Sequence, residues 1–302
     1  MAQKRNRHVL IVDGNHLAYR AHWSMMVLKN SKGSESGAFY GSLRTLRSLV
    51  IQFSPDAMFV VFDGVPKQSQ ALFPEYKAQR DPKRASFYRQ VKHLRRALRG
   101  LAVPVIRNAE SEADPIVAGL SGYIGKLVGH RVTIVSSDSD YYQCLVTNGI
   151  VQYDAIRSRT ITENAVLAKY GLKRLSDFVV MKAIMGDKSD NIPPVQKGVG
   201  VKTAAMIVNS KKEFAKFSKK HSKVLLRNLK LVMLPLLYDE LPNWLVSQVM
   251  KTPFRVRLKR VERLFKKYEL NSFLNNLEAW SEPFTNLACR AAKARVLNRP
   301  KV

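Results

Sequence analysis

The apolar positions of the first half of the chain fall into short runs that each stop at an acid. HVLIVDG at 8–14 is β-branched and ends at Asp13 and a glycine, as a buried strand does. AMFVVFDG at 57–64 repeats that ending, VPVI at 103–106 leads into NAESEAD, and RVTIVSSDSD at 131–140 ends in acids again. GIVQYD at 149–154 predicts a fifth strand. Between these runs the spacing predicts helices over 37–52, 85–100 and 112–127. Strands alternating with helices imply an α/β fold, with a mostly parallel central sheet and helices on both faces. From about 163 the pattern turns helical. ENAVLAKYGL and LSDFVVMKAIMG each close on a glycine, a Pro/Gly-rich hairpin follows at 191–204, and the remainder is helical and basic. The expected division is an α/β domain over 1–170 and a smaller helical domain over 171–302.

The acids gain meaning from where the strands end. In open α/β sheets the carboxyl ends of the strands form the ligand crevice. Asp13, Asp63, Glu112, Asp114, Asp138 and Asp140 are therefore expected to converge. With Asp187 and Asp190 of GDKSD they are eight of the 23 acids of the chain. Six or more carboxylates in one crevice repel one another, so either their pKa values rise or cations bind. Oxygen-only ligands favour Mg²⁺ or Mn²⁺ over zinc. Two such ions about 4 Å apart suit in-line attack on a phosphodiester. Taken singly, SDSD is more simply a helix cap. The whole set at successive strand ends goes beyond capping.

Charge narrows the partner. Fifty-one Lys and Arg face 23 Asp and Glu, a net charge of +28, which suits a polyanion and first of all nucleic acid. Residues 67–99 hold ten Lys/Arg and two acids, interleaved with Phe73, Tyr76, Phe87 and Tyr88. That mixture suits a single strand, with phosphates on cations and bases on rings. A solvated amphipathic helix over 85–100 is the plainer reading. In the hairpin, Gly198 and Gly200 allow close backbone approach to a phosphate. The helix starting near Val201 offers free N–H groups, and Lys202 adds charge. An ordinary turn between helices accounts for the same residues. Two cysteines, Cys144 and Cys289, give no disulfide framework and no four-ligand zinc site, and the histidines are scattered. No apolar run reaches the roughly 18 residues of a membrane span, so the expectation is a cytoplasmic protein without membrane contact.

The stretches VDGNHLAYRAH (12–22), FDG (62–64), FPEYKAQR (73–80), ESEAD (110–114), SSDSDYYQ (136–143) and GDKSDNIPPVQKGVGVKTA (186–204), in that order, resemble the 5′-nuclease or flap endonuclease family. Its members include the 5′-nuclease domains of bacterial DNA polymerase I and stand-alone phage 5′–3′ exonucleases. The resemblance implies a PIN-like fold with two Mg²⁺ ions, for which Mn²⁺ substitutes. Asp13, Asp63, Glu112 and Asp114 match the first metal cluster, and Asp138, Asp140, Asp187 and Asp190 the second. Tyr76, Lys77 and Arg80 match catalytic positions in a basic arch near 65–100, where the basic pair positions and activates the scissile phosphate. Tyr19 and Arg20 match residues near the active-site DNA, and Arg44, Lys67, Lys83 and Arg84 are further DNA-binding candidates. Residues 186–208 match a helix–hairpin–helix element that grips duplex backbone through Gly198, Gly200, Lys202 and Thr203, with K⁺ as a candidate ion.

The implied activity is structure-specific 5′ cleavage in replication or repair. It acts on DNA with a 5′ flap, a nick or a free 5′ end, by a monomer in a bacterial or phage-infected cell. Two alternatives stand beside it: a primer-removing nuclease acting on RNA–DNA hybrids, and a non-catalytic branched-DNA-binding protein. The chain departs from the family pattern at Pro115, where many members carry a further Asp, and in the hairpin, where IPPV, two residues and GVG replace IPGV, one residue and GIG. Proline has no N–H to donate and cannot adopt positive φ.

Overall fold

Successive residues of a strand point to opposite faces of a sheet, and the first strand, β1 (Arg7–Asp13), shows what that dictates here. Its Leu10 and Val12 enter one apolar layer, and its Val9 and Ile11 enter another. A strand buried on both sides needs helices on both sides, which is why the runs are continuously apolar rather than alternating. The computed structural model describes residues 7–80, 85–127, 129–236 and 238–294. Lys83 and Arg84 lie outside the described residues.

After β1 come α1 (Gly14–Ser24), α2 (Gly37–Phe53), β2 (Ala57–Phe62), α3 (Lys67–Leu72), α4 (Ala85–Gly100), β3 (Val105–Arg107), α5 (Ala113–Gly125), β4 (His130–Val135) and β5 (Ile150–Asp154). The five strands and helices α2, α4 and α5 match the expected runs to within a few residues, whereas α1 and α3 have no counterpart among them. A sixth strand, β6 (Arg159–Ile161), pairs antiparallel with β5, and at three residues it is too short to show a period. The sheet order is β3-β2-β1-β4-β5-β6, parallel except for β6. The winding reverses between β1 and β4, so a crevice opens above their carboxyl ends. At the β3 edge, the Gln248 side chain accepts from Arg107 N–H and donates to Arg107 C=O, both at 2.9 Å, and so occupies the open rim.

The helical half comprises α6 (Glu163–Tyr170), α7 (Asp177–Met185), α8 (Val201–Asn209), α9 (Lys211–Val232), α10 (Asn243–Met250), α11 (Leu258–Lys267), α12 (Asn271–Leu274) and α13 (Leu277–Ala294). Helices α6 to α9 build their own apolar cluster around Val166, Phe178, Met181, Ala204 and Leu225. Beyond Val232 the chain returns to the sheet. Val261, Phe265, Trp280 and Phe284 join the layer of Leu10 and Val12, and Leu245 joins that of Val9 and Ile11. The part of 171–302 that packs apart from the sheet thus ends near Val232, and the rest completes the core of the α/β half. No helix of the described residues is long and apolar enough to cross a membrane.

Candidate metal centre and nucleic-acid cleft

Asp13, Asp63, Asp138 and Asp187 are each fixed by the start of a helix or turn. Asp13 caps α1, accepting from His16 N–H at 2.9 Å. Asp138 and Asp187 cap short 3₁₀ turns through Asp140 N–H and Ser189 N–H. Asp63 accepts from Ala113 N–H, 2.9 Å away at the first turn of α5. Helix N-termini carry partial positive charge, which suits these carboxylates. Capping and convergence are therefore one arrangement, because the strand ends that need caps share the crevice. Pro115 sits in the first turn of α5, where a missing N–H costs no helical hydrogen bond.

All eight predicted acids line one cleft of about 1080 Å³. Within it, electrostatic interactions link members of the two expected sets of four. Asp13 is 5% exposed, and burial raises its pKa well above the usual range, reinforced by Asp114, Asp63 and Asp138. Burial also lifts Asp114, to about 7, with Asp138 and Asp63 adding to the rise and Lys77 opposing it. Asp138 thus acts on the first group of acids. Ligand oxygens of Asp140, Asp187 and Asp190 lie within 4.8 Å of one another and form the second group. The Tyr141 hydroxyl donates into the first group, where it touches Asp114 and lies 3.1 Å from Asp13 Oδ2.

Two lysines are built into this acidic floor. Lys77 meets Glu112 and lies 3.5 Å from Asp190 Oδ2. Burial works against its charge, but Asp190 and Glu112 outweigh burial and raise its pKa. Its backbone sits at φ +58°, a strained conformation for a residue with a Cβ, and its N–H bonds Asp190 C=O at 2.9 Å. Arg80 Nη2 holds Asp190 Oδ1 at 2.6 Å, and the Tyr76 hydroxyl stands between Glu112 and Asp190. Lys182, buried on α7, bridges Asp140 and Asp187, the latter at 2.9 Å. Burial alone would raise the Asp187 pKa, yet Lys182 and Ser189 bring it down to about 2. Lys182 carries no sequence signal, since it reads as one more residue of a mixed stretch, and Tyr141 lies in SSDSDYYQ without a role assigned to it there.

The cleft wall continues through Tyr19, Arg20, Trp23 and Phe87. Trp23, which the sequence reading missed, is 54% exposed and packs edge-on to Tyr19 at 5.9 Å. Other candidates lie outside the cleft lining. Arg44 is exposed on α2, and Lys67 pairs with Glu110 at the surface. Gly198, Gly200, Lys202 and Thr203 are exposed on the hairpin and the first turn of α8. Gly198 has φ +85°, and no positive φ falls at Pro194, so that proline fits its turn.

The carboxylate floor fits divalent cations by its donor chemistry. It offers carboxylate oxygens, and burial, reinforced by a mutual repulsion that a hard cation relieves, raises the pKa of Asp13 and Asp114. Comparison with known proteins agrees in kind. Residues 8–171 match the family model described as 5′-3′ exonuclease, N-terminal resolvase-like domain. A 5′-3′ exonuclease of Buchnera aphidicola subsp. Schizaphis graminum is 30% identical over 69% of this chain and 72% of its own length. One from Aquifex aeolicus is 29% identical over 89% of this chain and 94% of its own. The T5 D15 protein, solved with metal ions, shares the fold with a TM-score of 0.60 at 23% identity, over 87% of this chain and 99% of that one.

Proposed function

The chain belongs to the 5′–3′ exonuclease family, and we propose that it hydrolyses DNA phosphodiesters where a 5′-ended single strand meets duplex, using divalent cations held by the strand-end acids. The observation that carries this reading is the convergence of eight carboxylates with Lys77 and Arg80 in one cleft. Asp13, Asp63, Glu112, Asp114 and Asp138 would hold one ion and Asp140, Asp187 and Asp190 another. Mg²⁺ is the proposed ion and Mn²⁺ a substitute. When bound, such ions neutralise phosphate charge and lower the pKa of water.

The chain's own residues do the rest. Lys77 and Arg80 set fixed positive charge at the rim of the acids, where negative charge grows on the phosphate in the transition state. Tyr76 and Tyr141 orient the carboxylates they donate to. Tyr19 and Trp23 offer ring faces for unpaired bases on the cleft wall. The exposed hairpin, with Gly198, Gly200, Lys202 and Thr203, is the proposed grip on duplex backbone, with K⁺ as its proposed ion. Exchanging K⁺ for tetramethylammonium at equal ionic strength should weaken duplex binding, and unchanged binding removes K⁺ from the proposal.

The test uses labelled 5′-flap, nicked and RNA-primed duplexes, each with Mg²⁺ and with EDTA. Metal-dependent product from the flap or the nick is expected. Product from the RNA-primed duplex alone would reassign the enzyme to primer removal. No metal-dependent product from any of them would leave a branched-DNA-binding protein.

A further inference from the structure

The stretch GDKSDN at 186–191 ends on an asparagine that the reaction above does not use. It folds as the 3₁₀ turn Lys188–Asp190, closed by Asn191 at φ +61°. Asparagine enters this left-handed region more readily than most residues with a Cβ. The last carbonyls of a helical turn lack partners within the turn itself. Here they accept from the segment before α4. Gln79 Nε2 donates to Lys188 C=O at 2.9 Å and to Ser189 C=O at 3.3 Å. Arg80 Nε donates to Ser189 C=O at 3.1 Å, and Lys77 N–H to Asp190 C=O at 2.9 Å. In the reverse direction, Asn191 Nδ2 donates to Glu75 C=O at 2.8 Å. Each residue from Lys188 to Asn191 thus bonds the stretch 75–80.

That stretch has little of its own to hold it. Its internal bonds are those of tight turns: Tyr76 N–H to Phe73 C=O, Ala78 N–H to Glu75 C=O and Arg80 N–H to Lys77 C=O. A lysine at φ +58° persists only where the surroundings over-determine it. Asn191 and Gln79 supply that constraint, since their bonds fall two residues before Lys77 and two after it. With the Lys77 N–H held between them, the backbone is fixed at three points, and the amine reaches Glu112 and Asp190. A misplacement of about 1 Å in a group that meets the transition state can cost on the order of 100-fold in rate.

We propose that Asn191 and Gln79 are positioning residues for Lys77. They latch its strained backbone to the turn that bears Asp187 and Asp190, so that the amine and these acids keep one geometry. The inference rests on the nuclease reading above. It gives Asn191 a use beyond its left-handed backbone, which glycine alone would satisfy.

Asn191→Gly therefore keeps the turn and removes only the amide. Gln79 is exposed, so Gln79→Ala supplies a second variant that disturbs no buried side chain. The full chain is tested by single-turnover cleavage of a labelled 5′ flap in Mg²⁺ at saturating enzyme. Each variant should slow cleavage by about two- to tenfold. Flap affinity in EDTA should stay within about twofold of the wild type, and the Mg²⁺ concentration for half-maximal rate should not change. The deciding comparison is with Lys77→Ala. Combined with it, neither variant should slow cleavage further, because the amine they place is gone. Losses that multiply with that of Lys77→Ala overturn the latch, as does a raised Mg²⁺ requirement or a wild-type rate in both variants. A wild-type rate in Lys77→Ala overturns the catalytic role of Lys77 and the latch with it. Wild-type protein without Mg²⁺-dependent cleavage overturns the nuclease reading beneath both.

Discussion

The Tyr76 hydroxyl lies 3.0 Å from Asp190 Oδ2, joining the segment before α4 to the approach of the hairpin. The same hydroxyl is 2.9 Å from Glu112 Oε2, so one proton serves two carboxylates. Burial raises its pKa, and Asp190 and Glu112 raise it further, so the phenol remains a neutral donor at working pH. Tyr76→Phe removes that donor and leaves the two carboxylates facing each other. Hydrogen bonds to charged groups are worth about 1.5–3 kcal/mol, so single-turnover cleavage should slow roughly ten- to 150-fold. Flap affinity should stay within about twofold of the wild type. An unchanged rate at saturating enzyme would reduce Tyr76 to a packing residue.

Asp114 makes a prediction for the metal-free protein. Its pKa in the fold is about 7, raised by burial and by Asp138 and Asp63. An unfolded aspartate titrates near 3.9. Between these values the folded state binds more protons than the unfolded, so stability falls as pH rises from about 4 to 7. Asp114→Asn abolishes that proton linkage. In EDTA the variant should melt above the wild type at pH 8, and the gap should close near pH 4. Added Mg²⁺ should raise the wild-type Tm far more than that of the variant. A gap in EDTA that is constant across pH would remove Asp114 from the set of repelling acids.

Lys182 should matter to folding before it matters to cleavage. It is 6% exposed and bridges Asp140 and Asp187. Removing one partner of a buried pair leaves the other uncompensated, at a cost of about 3–5 kcal/mol. Lys182→Met should therefore lower the metal-free stability by about 3 kcal/mol, because the aspartates keep some solvent contact. The Asp187 pKa, now about 2, should rise. The stability that the depressed pKa contributes is present above the unfolded value near 3.9 and lost as pH falls toward 2. Acid unfolding of the variant should lack that component. Chemical denaturation at pH 3 and pH 7, with and without Mg²⁺, checks both points. A variant as stable as the wild type in EDTA at pH 7 would mean that Lys182 contributes no net pairing.

These residues also mark what the sequence makes legible. Asp13, Asp63 and Asp138 could be placed because each follows an apolar run that must be a buried strand, and parallel strands end on one side of a sheet. The influence of Asp138 on Asp13 and Asp114 could not be read, because it depends on neighbours across β1 and β4 rather than on order along the chain. Lys182 was hidden for a related reason. A lysine in DFVVMKAIM reads as the polar position of an amphipathic helix, and only the tertiary fold turns it onto two aspartates. The expected boundary at 170 shows the same limit. Amphipathic helices look alike in sequence, whether they pack on each other, as α7 to α9 do, or return to the sheet, as α11 and α13 do.

The two hairpin glycines separate backbone strain from backbone access. Gly198 sits at φ +85°, and a Cβ built there would meet nothing within 4 Å. Gly198→Ala should cost stability through φ alone, about 1–2 kcal/mol, and should weaken duplex binding by distorting the turn. Gly200 has an ordinary φ of −103°, and a Cβ there would likewise meet nothing. Gly200→Ala should therefore fold as the wild type does, within about 0.5 kcal/mol. If the hairpin grips duplex by close approach of its backbone to a phosphate, that added methyl stands in the way, and duplex affinity should fall several-fold with no change in Tm. Denaturation and duplex-binding curves for the two variants decide the matter. Wild-type affinity in Gly200→Ala would mean that the hairpin holds DNA through Lys202 and its other side chains rather than through its backbone.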